Sequence, residues 1–182
     1  PYYQELALDM RDIPVGRGRL PFNHEAADVL EAFKPAVVSF HFGLPEKALL
    51  ARVKDWGALV LSSATTLHEA LWLEAHGADM IIAQGLEAGG HRGMFLTNDL
   101  TTQLGTFALV SQVVKTVKVS VIAAGGIADA RGVKAALTLG AVAVQVGTVY
   151  LLCSEATTSA VHRVALQSKE SQHTAITNLF TG

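Results

Sequence analysis

Short apolar runs alternate with helix-like segments along most of the chain. Each run is rich in valine, isoleucine and alanine and lacks strict polar alternation, as expected for parallel strands that helices cover. The predicted strands are residues 36–42, 58–63, 79–84, 119–124 and 142–146. Their first residues are 22, 21, 40 and 23 positions apart, and about 20–25 residues suffice for one strand, one helix and two short loops. The chain therefore repeats a βα unit, and the third unit carries a long insertion.

The helix after the second run shows how the intervening segments are predicted. Thr66 and Glu69 fit a capping box, in which a hydroxyl and a carboxylate satisfy the free N–H groups of a first helical turn. Leu67, Ala70 and Leu71 follow at helical spacing, so we expect these three side chains to form the inner face of this helix.

Consecutive parallel strands joined by helices form either an open doubly wound sheet or a (β/α)8 barrel. A doubly wound sheet usually has its glycine-rich turn after the first strand, whereas the paired glycine turns here follow the last two runs. Phosphate sites after strands seven and eight are typical of barrels. We therefore predict an α/β fold, a partial (β/α)8 (TIM) barrel covering about strands 4–8. A complete barrel needs about 250 residues and this chain has 182, so residues 1–182 are expected to be a single partial barrel domain truncated at both ends.

Composition narrows the class further. The chain is 50% hydrophobic and 16% charged, with a net charge of −2 and one cysteine. Such a composition excludes extensive disorder, and the missing basic excess argues against nucleic-acid binding. A single cysteine excludes an internal disulfide framework and a cysteine-based metal cage. We predict a cytoplasmic protein with no nucleic-acid partner, no membrane partner and no metal, since membrane-span and signal-peptide patterns are both missing.

Two glycine-containing turns follow the fourth and fifth predicted strands. The first is Ala-Ala-Gly-Gly-Ile, with Gly125 and Gly126, and the second is Gln-Val-Gly-Thr at residues 145–148. Glycine lets the backbone approach an anion closely, and free N–H groups at such turns favour negative charge. One Gly-Gly turn alone can be plain turn geometry. Two turns on adjacent strands predict a phosphate site.

The segment Gln84 to Gly93 opens the long insertion and contains four glycines and His91. The strand-end loops of a barrel carry its reactive groups, and histidine can act as a general base or a hydrogen-bond donor near neutral pH. His91 is therefore a candidate catalytic residue, the alternative being a solvated loop histidine. Glu87 and Arg92 are predicted to be surface groups or loop-orienting groups rather than catalysts.

A second histidine lies at the end of the first predicted strand, in the segment Ser-Phe-His-Phe-Gly. The period of two places Val37, Ser39 and His41 on one face, so His41 can point into the barrel mouth beside His91 or be a hydrogen-bonded core histidine. Gln84 and Gln145 end two apolar strands and need polar partners if buried. A flat polar ligand or the neighbouring backbone would supply those partners.

Together, residues 84–93, 121–130 and 145–148 resemble the nitronate monooxygenases, formerly called 2-nitropropane dioxygenases. The similarity runs from about Phe33 to Gly182. Flavin-dependent enoyl-acyl-carrier-protein reductases and NADH:quinone reductases share these motifs. The segments Arg-Gly-Met-Phe-Leu at 92–96 and Ser-Phe-His-Phe-Gly at 39–43 are more similar to the nitronate monooxygenase branch.

The resemblance implies a (β/α)8 barrel that binds FMN without a covalent bond. It implies that alkyl nitronates, such as propionate 3-nitronate, react with dioxygen to give a carbonyl compound and nitrite. His91 matches the catalytic histidine of the family, and His41 matches a second histidine near the substrate. A homodimer is a further expectation. The positions that match the FMN contacts, or belong to the same turns, are Gln84, Gly89, Gly125, Gly126, Gln145, Val146, Gly147 and Thr148.

Two alternatives stay open at this point. One is an NAD(P)H-dependent flavin reductase of the same superfamily. The other is a catalytically inert barrel fragment, because the first three strands and the C-terminal segment of the family have no counterpart here and the first strand would be an unpaired edge.

Overall fold

The computed structural model of the chain describes residues 20–178. Helices and strands alternate throughout this range. In chain order, the elements are α1 (His24–Phe33), β1 (Val37–Phe40), α2 (Lys47–Asp55), β2 (Leu59–Ala64), α3 (Leu67–Ala75), β3 (Met80–Gln84), α4 (Thr106–Thr116), β4 (Ser120–Ala124), α5 (Ala130–Thr138), β5 (Ala143–Gln145) and α6 (Ala160–Gln167). Short 3-10 turns are formed by Leu100–Thr102, Thr148–Leu152 and Lys169–Gln172.

All five strands are parallel and lie in the sheet in chain order, β1-β2-β3-β4-β5. A helix follows each of the first four strands and crosses back to the start of the next one. The prediction of a partial (β/α)8 barrel is confirmed as a five-stranded parallel half-barrel, and each predicted strand is present. The first and the last are shorter than expected, Val37–Phe40 and Ala143–Gln145, so His41 lies just beyond β1 and not in it. The predicted domain bounds fall partly outside the described residues and stay a prediction.

The central strands β2, β3 and β4 are largely buried on both faces, as the apolar runs predicted, whereas the edge strands β1 and β5 have exposed residues. The outer face packs against the helices through fully buried side chains that include Leu73, Ile81 and Leu109. The inner face carries a smaller cluster of Ile82 and Ile122, with Leu61 and Met80 packed beside it. Burial of each large aliphatic side chain contributes about 1.5–3 kcal/mol, so the outer cluster is the main source of stability.

Helix α3 departs from its predicted inner face. Thr66 caps it as expected, because its side chain accepts a hydrogen bond from the Glu69 N–H at 3.1 Å. Ala70 is buried, but Leu71 is 39% exposed and Leu73 is fully buried instead. The buried face of the helix also contains the Glu69 carboxylate, which a hydrophobic pattern counts as a solvent-facing group. None of the helices in the described part of the chain has the length and apolar character needed to cross a membrane.

Candidate active site

The carboxyl ends of β3, β4 and β5 lie at one level of the sheet. Gln84 is paired in register with Ala124, and Ala124 with Gln145. In a parallel sheet the segments that leave these ends emerge on the same edge. The three segments that contain the sequence motifs therefore emerge as neighbours.

The loops after these strands contact one another. A Cβ built on Gly126 would lie 3.0 Å from the Glu87 Cβ, and one on Gly89 would lie 3.0 Å from Thr148 Oγ1. At Gly85 a Cβ would collide with Thr106, 1.9 Å from its Oγ1. The glycines of the β3 loop therefore let it pack directly against the turns after β4 and β5.

The glycine turns present N–H groups that have no acceptor within residues 20–178, namely those of Gly125, Gly126 and Gly147. Gly125 and Gly126 have φ of +121° and +63°, a region that favours glycine. Successive backbone N–H groups in such turns form a concave site for an anion. The first turn of α5 is less available, because the Asp129 carboxylate already accepts the Gly132 N–H at 2.8 Å.

Thr106 holds the β4 turn in place, a role that the sequence analysis did not assign. Its buried hydroxyl lies 3.0 Å from the carbonyl oxygen of Gly125 and 2.7 Å from Glu87 Oε2. Glu87 Oε2 also accepts the Thr106 N–H at 2.8 Å. Burial alone would raise the pKa of Glu87, but these bonds outweigh it and the pKa is lowered. Glu87 orients the loop, as predicted.

The side-chain amide of Gln84 finds its hydrogen-bond partners in the neighbouring backbone. Its side-chain oxygen accepts the Gly93 N–H at 2.7 Å, and its Nε2 donates to the carbonyl oxygen of His91 at 2.9 Å. The amide therefore fixes the ends of a three-residue segment centred on Arg92. Gln145, at the same level of the sheet, is exposed, and its side chain makes no hydrogen bond within the described range.

His41 and His91 lie together at this edge. His41 Nε2 is 3.2 Å from the carbonyl oxygen of His91, and it donates there when Nε2 carries the proton. Burial lowers the pKa of His41, and the nearby charges of His91 and Arg92 lower it further, although the hydrogen bond to His91 opposes the shift. A neutral His41 ring therefore supports the backbone of an exposed His91.

Phe42 is a second feature that sequence reasoning missed. Its φ is +65°, rare for a bulky residue, and its side chain is 53% exposed. Its ring lies edge-on to His41 and to His91, with centroids 4.5 and 6.1 Å away. The buried Ser62 hydroxyl donates to the carbonyl oxygen of the next residue, Gly43, at 2.7 Å. The strained backbone thus places an aromatic ring beside both histidines.

The Arg92 side chain is turned toward the backbone at the end of β3. Its guanidinium donates to the carbonyl oxygens of Gln84 and Gly85, both at 2.5 Å, and to Gln103 Oε1 at 2.7 Å. Burial lowers the pKa of this group, and the charges of Glu69 and Glu87 oppose that shift. Arg92 orients the loop, as predicted.

A cavity of about 870 Å³ lies at the β1 edge rather than between the turns. His41 and Phe42 form part of its wall together with Phe22 and Phe40. Within residues 20–178 no group of three or more histidine, cysteine, aspartate or glutamate side chains could hold a metal ion.

In this parallel half-barrel the loops after the strands bring the glycine turns and both histidines to one edge, and (β/α)8-barrel enzymes build their active sites from those loops. The family model for nitronate monooxygenase matches residues 11–182. The chain therefore belongs to the nitronate monooxygenase family.

Curated relatives support this assignment. The chain is 48% identical to a nitronate monooxygenase of Paraburkholderia phytofirmans over 149 residues, which are 82% of this chain and 41% of the relative. It is 46% identical to one of Pseudomonas aeruginosa, covering 82% and 42% of the two chains. A probable nitronate monooxygenase of Bacillus subtilis is 40% identical, with 87% and 46% covered. The chain spans less than half the length of these relatives.

Solved structures show the same fold. A nitroalkane oxidase from Streptomyces ansochromogenes superposes with a TM-score of 0.74 at 41% identity, covering 79% of this chain and 42% of that one. FabK from Thermotoga maritima gives a TM-score of 0.67 at 35% identity, with 81% and 44% covered.

The position of His41 predicts a pH dependence of stability. Because its pKa in the folded protein lies below the ordinary 6.5, the unfolded chain binds a proton first as the pH falls, and stability declines from about pH 6.5 downward. Urea unfolding between pH 8 and pH 5 should show a larger loss for the wild type than for His41→Gln, which keeps a donor toward His91 but does not titrate. Parallel curves for the two proteins would contradict the lowered pKa of His41.

Proposed function

We propose that this protein is an FMN-dependent nitronate monooxygenase that oxidises alkyl nitronates, such as propionate 3-nitronate, with dioxygen to a carbonyl compound and nitrite. The observation that carries the proposal is the convergence of free backbone N–H groups and an exposed histidine at one sheet edge in a chain of this family. The family is generally flavin-dependent.

The residues at the edge fit the phosphate and ring of FMN. The N–H groups of Gly125, Gly126 and Gly147 would hold the phosphate, because turns of this kind bind anions. Gln145, Val146 and Thr148 complete the second turn, and the exposed Gln145 amide has donors and an acceptor to offer. Because Gly89 has no side chain, the β3 loop can lie close to Thr148. One N–H of the Gln84 amide is not used in its bonds to the loop, and this N–H would face the flavin ring.

When bound, the flavin supplies the redox chemistry between nitronate and dioxygen. His91 would contact the substrate. A protonated His91 would stabilise the anionic nitronate, and a neutral His91 would take the α-proton of a nitroalkane. His41, kept neutral by burial, would lie near the substrate and hold the His91 backbone. Phe42 would give the site an apolar wall. A cytoplasmic location and a homodimer remain predictions from the sequence.

Replacement of His91 tests the proposed chemistry. Loss of a positioned acid or base costs about 100- to 10,000-fold in rate, so His91→Asn should lower nitrite formation from propionate 3-nitronate by about that factor and keep its flavin. His68→Asn, a change at an exposed histidine of α3, is the control and should retain full activity.

Three results would contradict the proposal. Unchanged turnover in His91→Asn would refute the role of that histidine. Anaerobic bleaching of the flavin by NADH without any nitrite from nitronate would instead identify an NAD(P)H-dependent flavin reductase. A purified protein without a flavin absorption band would favour the inert fragment.

The phosphate site is tested at Gly147. A Cβ there meets no protein atom within 4 Å, so Gly147→Leu should fold normally while its side chain fills the space in front of the turn. We expect at least about a tenfold weaker affinity for FMN, measured by fluorescence titration of the apoprotein, because a lost hydrogen bond to a charged group costs about 1.5–3 kcal/mol.

Gly57 offers a matched control. It too has no atom within 4 Å of a built Cβ and has a φ of +89°, but it lies between α2 and β2, away from the carboxyl ends of the strands. Gly57→Leu should lose stability and keep its FMN affinity. FMN binding to Gly147→Leu at wild-type affinity would place the phosphate elsewhere.

A further inference from the structure

Glu69 is a fully buried carboxylate in the first turn of α3. Its Oε2 accepts the Thr65 N–H and the Thr65 hydroxyl, both at 2.7 Å. Its Oε1 accepts the N–H groups of Phe95 and Leu96 at 2.8 and 3.3 Å. Burying a charge is costly unless it is paired and hydrogen-bonded. Glu69 therefore occupies this place because four donors surround it, two of them in the insertion after β3.

The segment that Glu69 binds continues the loop of His91. Gly93 lies between them and is fixed on two sides. Its N–H is bonded to Gln84, and a Cβ on it would lie 2.7 Å from the His41 ring. The Phe95 ring packs edge-on against Trp72 with centroids 5.2 Å apart. Residues 93–96 are thus anchored to α3 and β3, and the backbone of His91 is anchored by Gln84 and His41.

We propose that Glu69 is a positioning residue for His91. It joins the end of β2 to the insertion through one buried carboxylate, and so fixes the direction from which the loop brings His91 to the sheet edge. This proposal rests on the function proposed above for His91. Misplacing a reacting group by about 1 Å can cost about 100-fold in rate, so an anchor four residues away has measurable consequences.

Glu74 is a matched control on the same helix. Its Oε1 accepts the N–H groups of Lys118 and Val119 at 2.5 and 3.1 Å, just before β4 begins. Like Glu69, Glu74 is a helix carboxylate that accepts two N–H groups from a later segment, but it is half-buried and has two donors instead of four. The two carboxylates lie at opposite edges of the sheet, and only Glu69 touches the His91 insertion.

The test compares Glu69→Gln with Glu74→Gln in the full-length, flavin-loaded protein. An amide offers one acceptor oxygen and turns its NH2 toward N–H groups that need an acceptor. Glu69→Gln should lower kcat for propionate 3-nitronate by about 10- to 100-fold, with KM and flavin content unchanged. Hydrogen exchange at residues 91–96 should speed up at least about tenfold. Glu74→Gln should lose less thermal stability, because Glu74 is half-buried and has two donors, and it should leave kcat and exchange at 91–96 within about twofold.

Equal kcat in the two variants, or unchanged exchange at residues 91–96 in Glu69→Gln, would overturn the proposal. If Glu69→Gln does not fold, Glu69→Asp replaces it, because the shorter carboxylate keeps the charge but cannot reach both Thr65 and Phe95, and the same two outcomes decide. If the wild type forms no nitrite, the proposed function fails, while the exchange measurement still decides whether Glu69 holds the segment.

Discussion

The parallel register of β3, β4 and β5 is the constraint on which the site depends. Because Gln84, Ala124 and Gln145 share one level, the segments that leave the three strands must share one edge and one small space. Glycines at Gly85 and Gly126 remove the side chains that would keep these segments apart. A shift of one strand would separate the free N–H groups of the two turns, so the proposed anion site depends on the register rather than on either turn alone.

Buried polar side chains convert the long insertion into a fixed frame. Gln84, Arg92 and Glu69 bond mainly to backbone groups, and their partners lie on the loop or at the strand ends. Each bond is worth about 1 kcal/mol net, but an unpaired buried group costs about 1–3 kcal/mol. Removing one of these side chains therefore costs more than its own bonds, because it leaves buried backbone groups unpaired. His91 remains exposed at the tip of the frame, where a small molecule can reach it.

The sheet and its glycine turns could be predicted from the sequence because apolar runs and strand-end glycines are local signals. The orientation of α3 could not, since its buried face includes Leu73 and the Glu69 carboxylate. Two of the four donors to that carboxylate lie 26 and 27 positions further along the chain. The positive φ of Phe42 and the bridging role of Thr106 likewise depend on tertiary contacts. For Gln84 the sequence indicated that the amide needs either a ligand or the backbone as its partner. The loop geometry shows that the partners are the backbone groups of His91 and Gly93.

The central claim is that the two glycine turns form one phosphate site beside the histidines. A crystal structure of the full-length protein with FMN and a nitronate tests it most directly. The account predicts phosphate oxygens within about 2.7–3.2 Å of the N–H groups of Gly126 and Gly147, with the nitronate beside His91. A phosphate bound at the cavity along β1, or held by side chains with those N–H groups left free, would contradict it.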